Sequence, residues 1–62
     1  MSLAEECRDR LEQLPRQITL VQVAENSGVT ISWLSRFANG KIKNPGVNHV
    51  EAVLQHLRTI EN

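Results

Sequence analysis

Between Thr30 and Lys43, in "TISWLSRFANGKIK", the chain places two hydroxyls (Ser32, Ser35), a guanidinium (Arg36), a carboxamide (Asn39), two ammonium groups (Lys41, Lys43) and an indole N–H (Trp33). These groups make hydrogen bonds and ion pairs. A guanidinium presents a planar fork of donors to a base edge or a phosphate, an ammonium is a compact charge, and a hydroxyl both donates and accepts. Covalent chemistry finds less support. Ser27, Ser32 and Ser35 lack a glycine-flanked nucleophile turn, Cys7 sits on an acid-rich segment that raises its pKa, and no glycine loop is spaced to cradle a phosphate. His49 and His56 lie seven positions apart, but two histidines without a third ligand make a poor metal site, and a solvated or capping role is the plainer reading. The expectation is binding rather than catalysis, with no metal and no cofactor.

A helix from Ile31 to Ala38 would position these groups. Thr30 is a capping residue, with Val29 and Leu34 as the apolar pair that fixes how the chain enters the helix. At about 100° per residue, Leu34, Phe37 and Ala38 fall on one side with Thr30; Ser32, Arg36 and Asn39 fall opposite, Ser35 close to them, and Ile31 and Trp33 on the two flanks. The first side reads as core. The other is small and polar with one long cation, and its serines leave the backbone open to close approach by something wide and polar. Blander readings stand beside this one: Trp33 as a partly buried core aromatic, Arg36 as an ordinary surface arginine, Lys41 and Lys43 as solvating loop charges.

Other helix signals surround it. Ser2 followed three residues later by Glu5 is a capping box, and Leu3, Cys7, Leu11 and Leu14 then recur at helical spacing, ending before Pro15. The outward face of that helix mixes Glu5, Glu6, Asp9 and Glu12 with Arg8 and Arg10, Glu6 and Arg10 at the favourable four-residue spacing, and reads as a solvated face. Thr19 with Gln22 is a second capping box, with Ile18 placed to pack on Val23, predicting a helix from Leu20 to about Asn26. Gly28 follows where a left-handed residue usually ends a helix. One helix stops and the next begins within about four residues, so the chain turns sharply there. Beyond Pro45-Gly46, the residues Val47, Val50, Val53, Leu54 and Leu57 form the apolar stripe of a fourth helix.

Sixty-two residues predict one domain, 1–62, at the small end of what folds unaided. A chain this short leaves little room for an active-site cavity. Seven basic and seven acidic side chains cancel, yet no acid lies between Glu25 and Glu51, where Arg36, Lys41 and Lys43 all fall. The protein is neutral on average and basic where the third helix is exposed. A single cysteine makes no internal disulfide, no run approaches the roughly 18 apolar residues of a membrane span, and the N-terminus is too charged for a signal peptide. A soluble, cytoplasmic chain with neither a membrane nor a small-molecule substrate as partner is expected.

Two helices joined by a tight glycine turn, the second with an uncommitted polar face and a basic loop behind it, form the arrangement that places a helix in the DNA major groove. The stretch "ITLVQVAENSGVTISWLSRFANGK", residues 18–41, resembles the helix-turn-helix of the lambda-repressor and Cro family, with Ala24, Gly28, Val29, Leu34, Ser35, Arg36, Asn39 and Gly40 agreeing at fixed offsets. "NPGVNHVEAVLQHL" resembles the helix that follows in that family. The resemblance implies an all-α, compact four- to five-helix bundle with its helix-turn-helix at about residues 19–38. It implies a sequence-specific double-stranded DNA-binding regulator of the repressor type, phage or bacterial, acting as a homodimer on a palindromic operator and nucleoid-associated when bound. Ile31, Ser32, Ser35 and Arg36 would occupy base-facing sites; Thr19, Trp33, Asn39, Lys41 and Lys43 would meet the sugar-phosphate backbone. Two departures stand out. Leu20 takes the place where relatives often carry a glutamine that bonds to DNA, and the sequence stops at Asn62, before the fifth helix through which some relatives dimerise. The competing reading is a protein-interaction module, adaptor or antitoxin-like, that keeps the fold and binds a partner through Leu20, Trp33 and the apolar flank; an oligomerising subunit ranks third.

Overall fold

Ser2 starts the first helix as its spacing to Glu5 predicts: its hydroxyl accepts the Glu5 N–H at 3.1 Å, and the Ser2 N–H donates to the Glu5 carboxylate at 3.3 Å. The computed structural model describes residues 2–60, so Met1, Glu61 and Asn62, and with them the ends of the expected 1–62 domain, lie outside the described residues. Helix α1 spans Leu3–Glu12, α2 Leu20–Ser27, α3 Ile31–Ala38 and α4 Val47–Ile60, with no strand among the described residues. Because proline disfavours helical geometry in the residue before it, α1 stops short of Leu14, which packs half-buried against the core from outside the helix.

The turn between α2 and α3 follows from two capping residues and one glycine. Thr19 and Gln22 form the reciprocal pair at the head of α2, the hydroxyl accepting the Gln22 N–H at 3.2 Å and the Thr19 N–H donating to the Gln22 amide at 3.0 Å. Gly28 closes α2 at φ +78°, where a Cβ would be strained although the space around it is open. Its N–H and that of Val29 both donate to the Ala24 carbonyl, at 3.0 and 3.1 Å. Two residues on, Thr30 accepts the Trp33 N–H at 3.0 Å and α3 begins.

Each helix contributes one face to a single core. Cys7 and Leu11 come from α1, Val23 and Ala24 from α2, Leu34 and Phe37 from α3, and Val50, Val53, Leu54 and Leu57 from α4; among the described residues no polar residue is buried. Burying a side chain such as Phe37 or Leu54 contributes roughly 1.5–3 kcal/mol each. The Cα radius of gyration of 10.3 Å is close to the roughly 10.5 Å expected of a globule of this length. Helix α4 packs along α1 and α2, while α3 lies against α2 and α1. That leaves the far side of α3 uncovered.

Two apolar positions depart from the predicted stripes. Val47 is 63% exposed and Leu3 39%, because each is the first residue of its helix. Both ends overhang the core, whose first buried residues on these helices come about one turn later, at Val50 and Cys7. Periodicity gives the angle around a helix and says nothing of how far along the axis a neighbour reaches. Cys7 itself is fully buried, and burial first, then the Glu6 charge, push its thiol up to about 11 against a smaller opposing effect of Arg10. At neutral pH it is a protonated core side chain.

Candidate nucleic-acid interface

Helix α3 divides by burial along the line that its sequence predicts. Leu34 is fully buried and Phe37 is 2% exposed, with Ala38 half-buried beside them. On the far side Ser32, Arg36 and Asn39 are exposed and Ser35 is half-buried, while Ile31 at the head of the helix is 43% exposed. Ile31, Ser35 and Asn39 follow one another at four-residue spacing, and Ser32 and Arg36 form the adjacent row, so the five make one continuous strip. Eight residues at about 1.5 Å rise give this strip a length of about 12 Å.

The polar atoms of the strip have no work inside the fold. Among the described residues, the hydroxyls of Ser32 and Ser35, the Asn39 amide and the Arg36 guanidinium make no side-chain hydrogen bond or ion pair. Lys41 and Lys43 follow, both exposed and both outside any ion pair among those residues. At the α1–α4 seam three charged groups are joined, although Asp9, Glu12, Arg16 and Glu51 are exposed without an ion pair among the described residues as well. Arg10 Nε donates to Glu6 Oε2 at 3.1 Å, and Arg58 Nη2 reaches the same oxygen at 3.2 Å across the α1–α4 seam. Glu6 is held below the usual carboxylate range, first by the Arg58 hydrogen bond and against some desolvation, with Arg10 adding to the effect.

The chain leaves α3 by a fixed path. Gly40 adopts φ +73°, its N–H donating to the Phe37 carbonyl at 3.0 Å and the Lys41 N–H to the Arg36 carbonyl at 2.9 Å. This glycine-terminated pair satisfies the last carbonyls of α3 and sets the direction in which Lys41 departs. Thr19, the remaining backbone-facing candidate, is exposed at the head of α2 with its hydroxyl oxygen accepting the cap bond; the hydroxyl proton is left to donate outward.

Trp33 is where two sequence readings meet. Its ring lies parallel to Phe37, centroids 5.0 Å apart at 6°, and 5.3 Å from His49 at the start of α4. The side chain is half-buried against the core, so it ties α3 to α4 through its faces. Leu20, also half-buried against the core, is committed inward in the same way.

Three residues have surroundings that sequence reasoning did not assign. Val21, at the head of α2, is 49% exposed and adds an apolar group that α2's own periodicity did not single out. His49, exposed as a solvated residue is, also packs its ring on Trp33. Arg8, expected on the solvated face of α1, lies with its guanidinium against Gly40. The last two are contacts between residues 16 and 32 positions apart, and no local signal encodes them. Among the described residues, no group of three His, Cys, Asp or Glu is placed to hold a metal ion, and no helix is long and apolar enough to cross a membrane. No family model, no curated protein and no solved structure matches the chain.

Proposed function

We propose that the chain binds double-stranded DNA sequence-specifically, with α3 in the major groove, as a transcription regulator of the repressor type. The observation that carries this reading is the outer strip of α3: exposed, polar, without partners inside the fold, and followed by two lysines in a segment free of acids. An α-helix with its side chains is about 10–12 Å across, which suits a major groove about 12 Å wide. Arg36 presents its fork to a guanine edge and Ile31 its methyl groups to a thymine methyl. Ser32 and Ser35 are small enough to let the backbone close in. Thr19, Trp33, Asn39, Lys41 and Lys43 supply the phosphate contacts that set position and orientation. The resemblance of residues 18–41 to the lambda-repressor and Cro helix-turn-helix supports the same assignment.

The resemblance also supports a homodimer on a palindrome: one copy presents one groove helix, so reading two half-sites about 34 Å apart takes two copies. Lys41 and Lys43 give about two phosphate-neutralising cations per copy, which contribute about −2 to the salt slope of one copy and about −4 to that of a pair. The protein-interaction reading keeps Ile31 and gains Val21, but Leu20 packs on the core and the ring of Trp33 lies against Phe37 and His49, which leaves its N–H edge rather than its apolar faces for a partner.

The test is selection of random-sequence duplexes by the purified chain at two salt concentrations, with the bound fraction sequenced. Enrichment of a palindromic motif whose affinity falls steeply with salt supports a dimeric regulator. Failure to enrich any sequence even at low salt overturns the reading and favours a protein partner.

A further inference from the structure

We propose that Arg8, on α1, is an additional DNA phosphate contact that joins Lys41 and Lys43 at the end of α3. The proposal rests on the reading of α3 as the groove helix. Its starting point is the side chain's choice of neighbour. Glu5 and Glu12 stand three and four positions away on the same helix, the spacings at which an arginine usually finds a carboxylate. Arg8 pairs with neither among the described residues, whereas Arg10 on the same helix pairs with Glu6.

The guanidinium crosses instead to Gly40, where its Nη2 lies 2.7 Å and its Cζ 3.3 Å from the position a Cβ would take. Only a residue without that carbon, in the left-handed conformation found here, lets the cation sit so close to the backbone. Its Nε is buried and has no hydrogen-bond partner among the described residues, an unmet donor at the root of the planar head. The carbonyl end of α3 gives a cation modest support, which accounts for its position there without making a specific bond. Gly40 lies between Asn39 and Lys41, two residues assigned to the DNA backbone. A guanidinium at that point adds a forked donor, which a phosphate oxygen pair accepts bidentately, to the point charges of the lysines.

A purely structural role, with Arg8 stacked on Gly40 to hold α1 against the loop, predicts different behaviour. For Arg8→Gln the expected result is a salt slope smaller by about 0.9 per copy, with the enriched motif and the melting temperature unchanged. Arg8→Lys keeps the charge and is expected to keep the slope. A slope in Arg8→Gln equal to that of the unaltered chain overturns the proposal, as does a lowered melting temperature in both variants with the slope retained. Should Arg8→Gln not fold, the unaltered chain serves: phenylglyoxal modification with and without duplex, mapped by peptide mass, is expected to show Arg8 and Arg36 protected and Arg16 and Arg58 not. Equal modification of Arg8 in both conditions overturns the assignment. If the unaltered chain binds no DNA at any salt, both this proposal and the reading beneath it fall; if it binds and Arg8 alone is indifferent, only this one does.

Discussion

The α1–α4 surface and the α3–loop surface use their polar side chains in opposite ways. On the first, Glu6 takes two arginines on one oxygen, and Glu5 returns a bond to the Ser2 N–H that α1 would otherwise leave open. On the second, Ser32, Ser35, Arg36, Asn39, Lys41 and Lys43 stand exposed or half-exposed with no side-chain partner among the described residues. A net charge of zero is the sum of these unlike surfaces. Polar groups bonded within the fold contribute to its stability, while groups left unbonded keep their donors for a ligand. Substitutions on the two surfaces should therefore be read by different instruments, one by melting and the other by binding.

The sharpest separation is expected at Arg36. Arg36→Ala should cost about 1–3 kcal/mol of discrimination at one base pair, roughly 5- to 160-fold. Its thermal stability should change by no more than about 0.5 kcal/mol, since the side chain is exposed and unpaired. Competition titrations against the selected duplex and single-base variants measure the first, thermal melting the second. Equal losses on specific and random DNA would remove Arg36 from base reading, and a large loss of stability would erase the contrast between the surfaces.

Next in size are the helix caps. Ser2 caps α1 with the reciprocal carboxylate of Glu5, but α3 has Trp33 at the equivalent third position, so Thr30 stands alone. The tryptophan packs on Phe37 and His49 instead, exchanging a local hydrogen bond for a tertiary contact. Ser2→Ala and Thr30→Ala should each cost about 1 kcal/mol of stability in denaturant melts. Only Thr30→Ala should also weaken DNA binding, because only α3 must hold its first turn in register with a groove. Parallel losses of binding in both variants would mean that stability alone sets affinity.

What the sequence made legible was what is local. Ser2–Glu5, Thr19–Gln22, Thr30 and the glycine at position 28 act within a few residues of themselves, so the boundaries of α2 and α3 could be placed almost to the residue. Burial on α3 was legible too, since an eight-residue helix leaves little ambiguity about which side carries Leu34 and Phe37. Contacts closed by the tertiary fold were not. The Glu6–Arg10 pair could be read from its spacing, but Arg58 reaches the same carboxylate from 52 positions away. Arg8 looked like one more charge on a solvated face until α3 ended beside it. Trp33 was open between core and ligand because its position on the flank of the helix fits both, and its stacking on Phe37 still leaves the indole edge to be assigned by experiment.

The smallest effect, and the closest test of the comparison, belongs to Glu6. Its carboxylate is held below the usual range by Arg58 and Arg10, so the ionised form binds these arginines more tightly in the folded chain than in the unfolded one. For a group whose folded pKa is depressed, the stabilisation is complete above the unfolded pKa and disappears as pH falls through the folded value. Melting temperatures of the unaltered chain and Glu6→Gln should therefore differ slightly and constantly at neutral pH, and converge as pH drops through and below the ordinary carboxylate range. DNA affinity at neutral pH should be the same for both, because Glu6 is paired with Arg10 and Arg58 at the α1–α4 seam. A gap in melting temperature that widens on acidification would contradict the assigned ion pairs, and a change in affinity approaching that of Arg36→Ala would join two surfaces that the fold keeps apart.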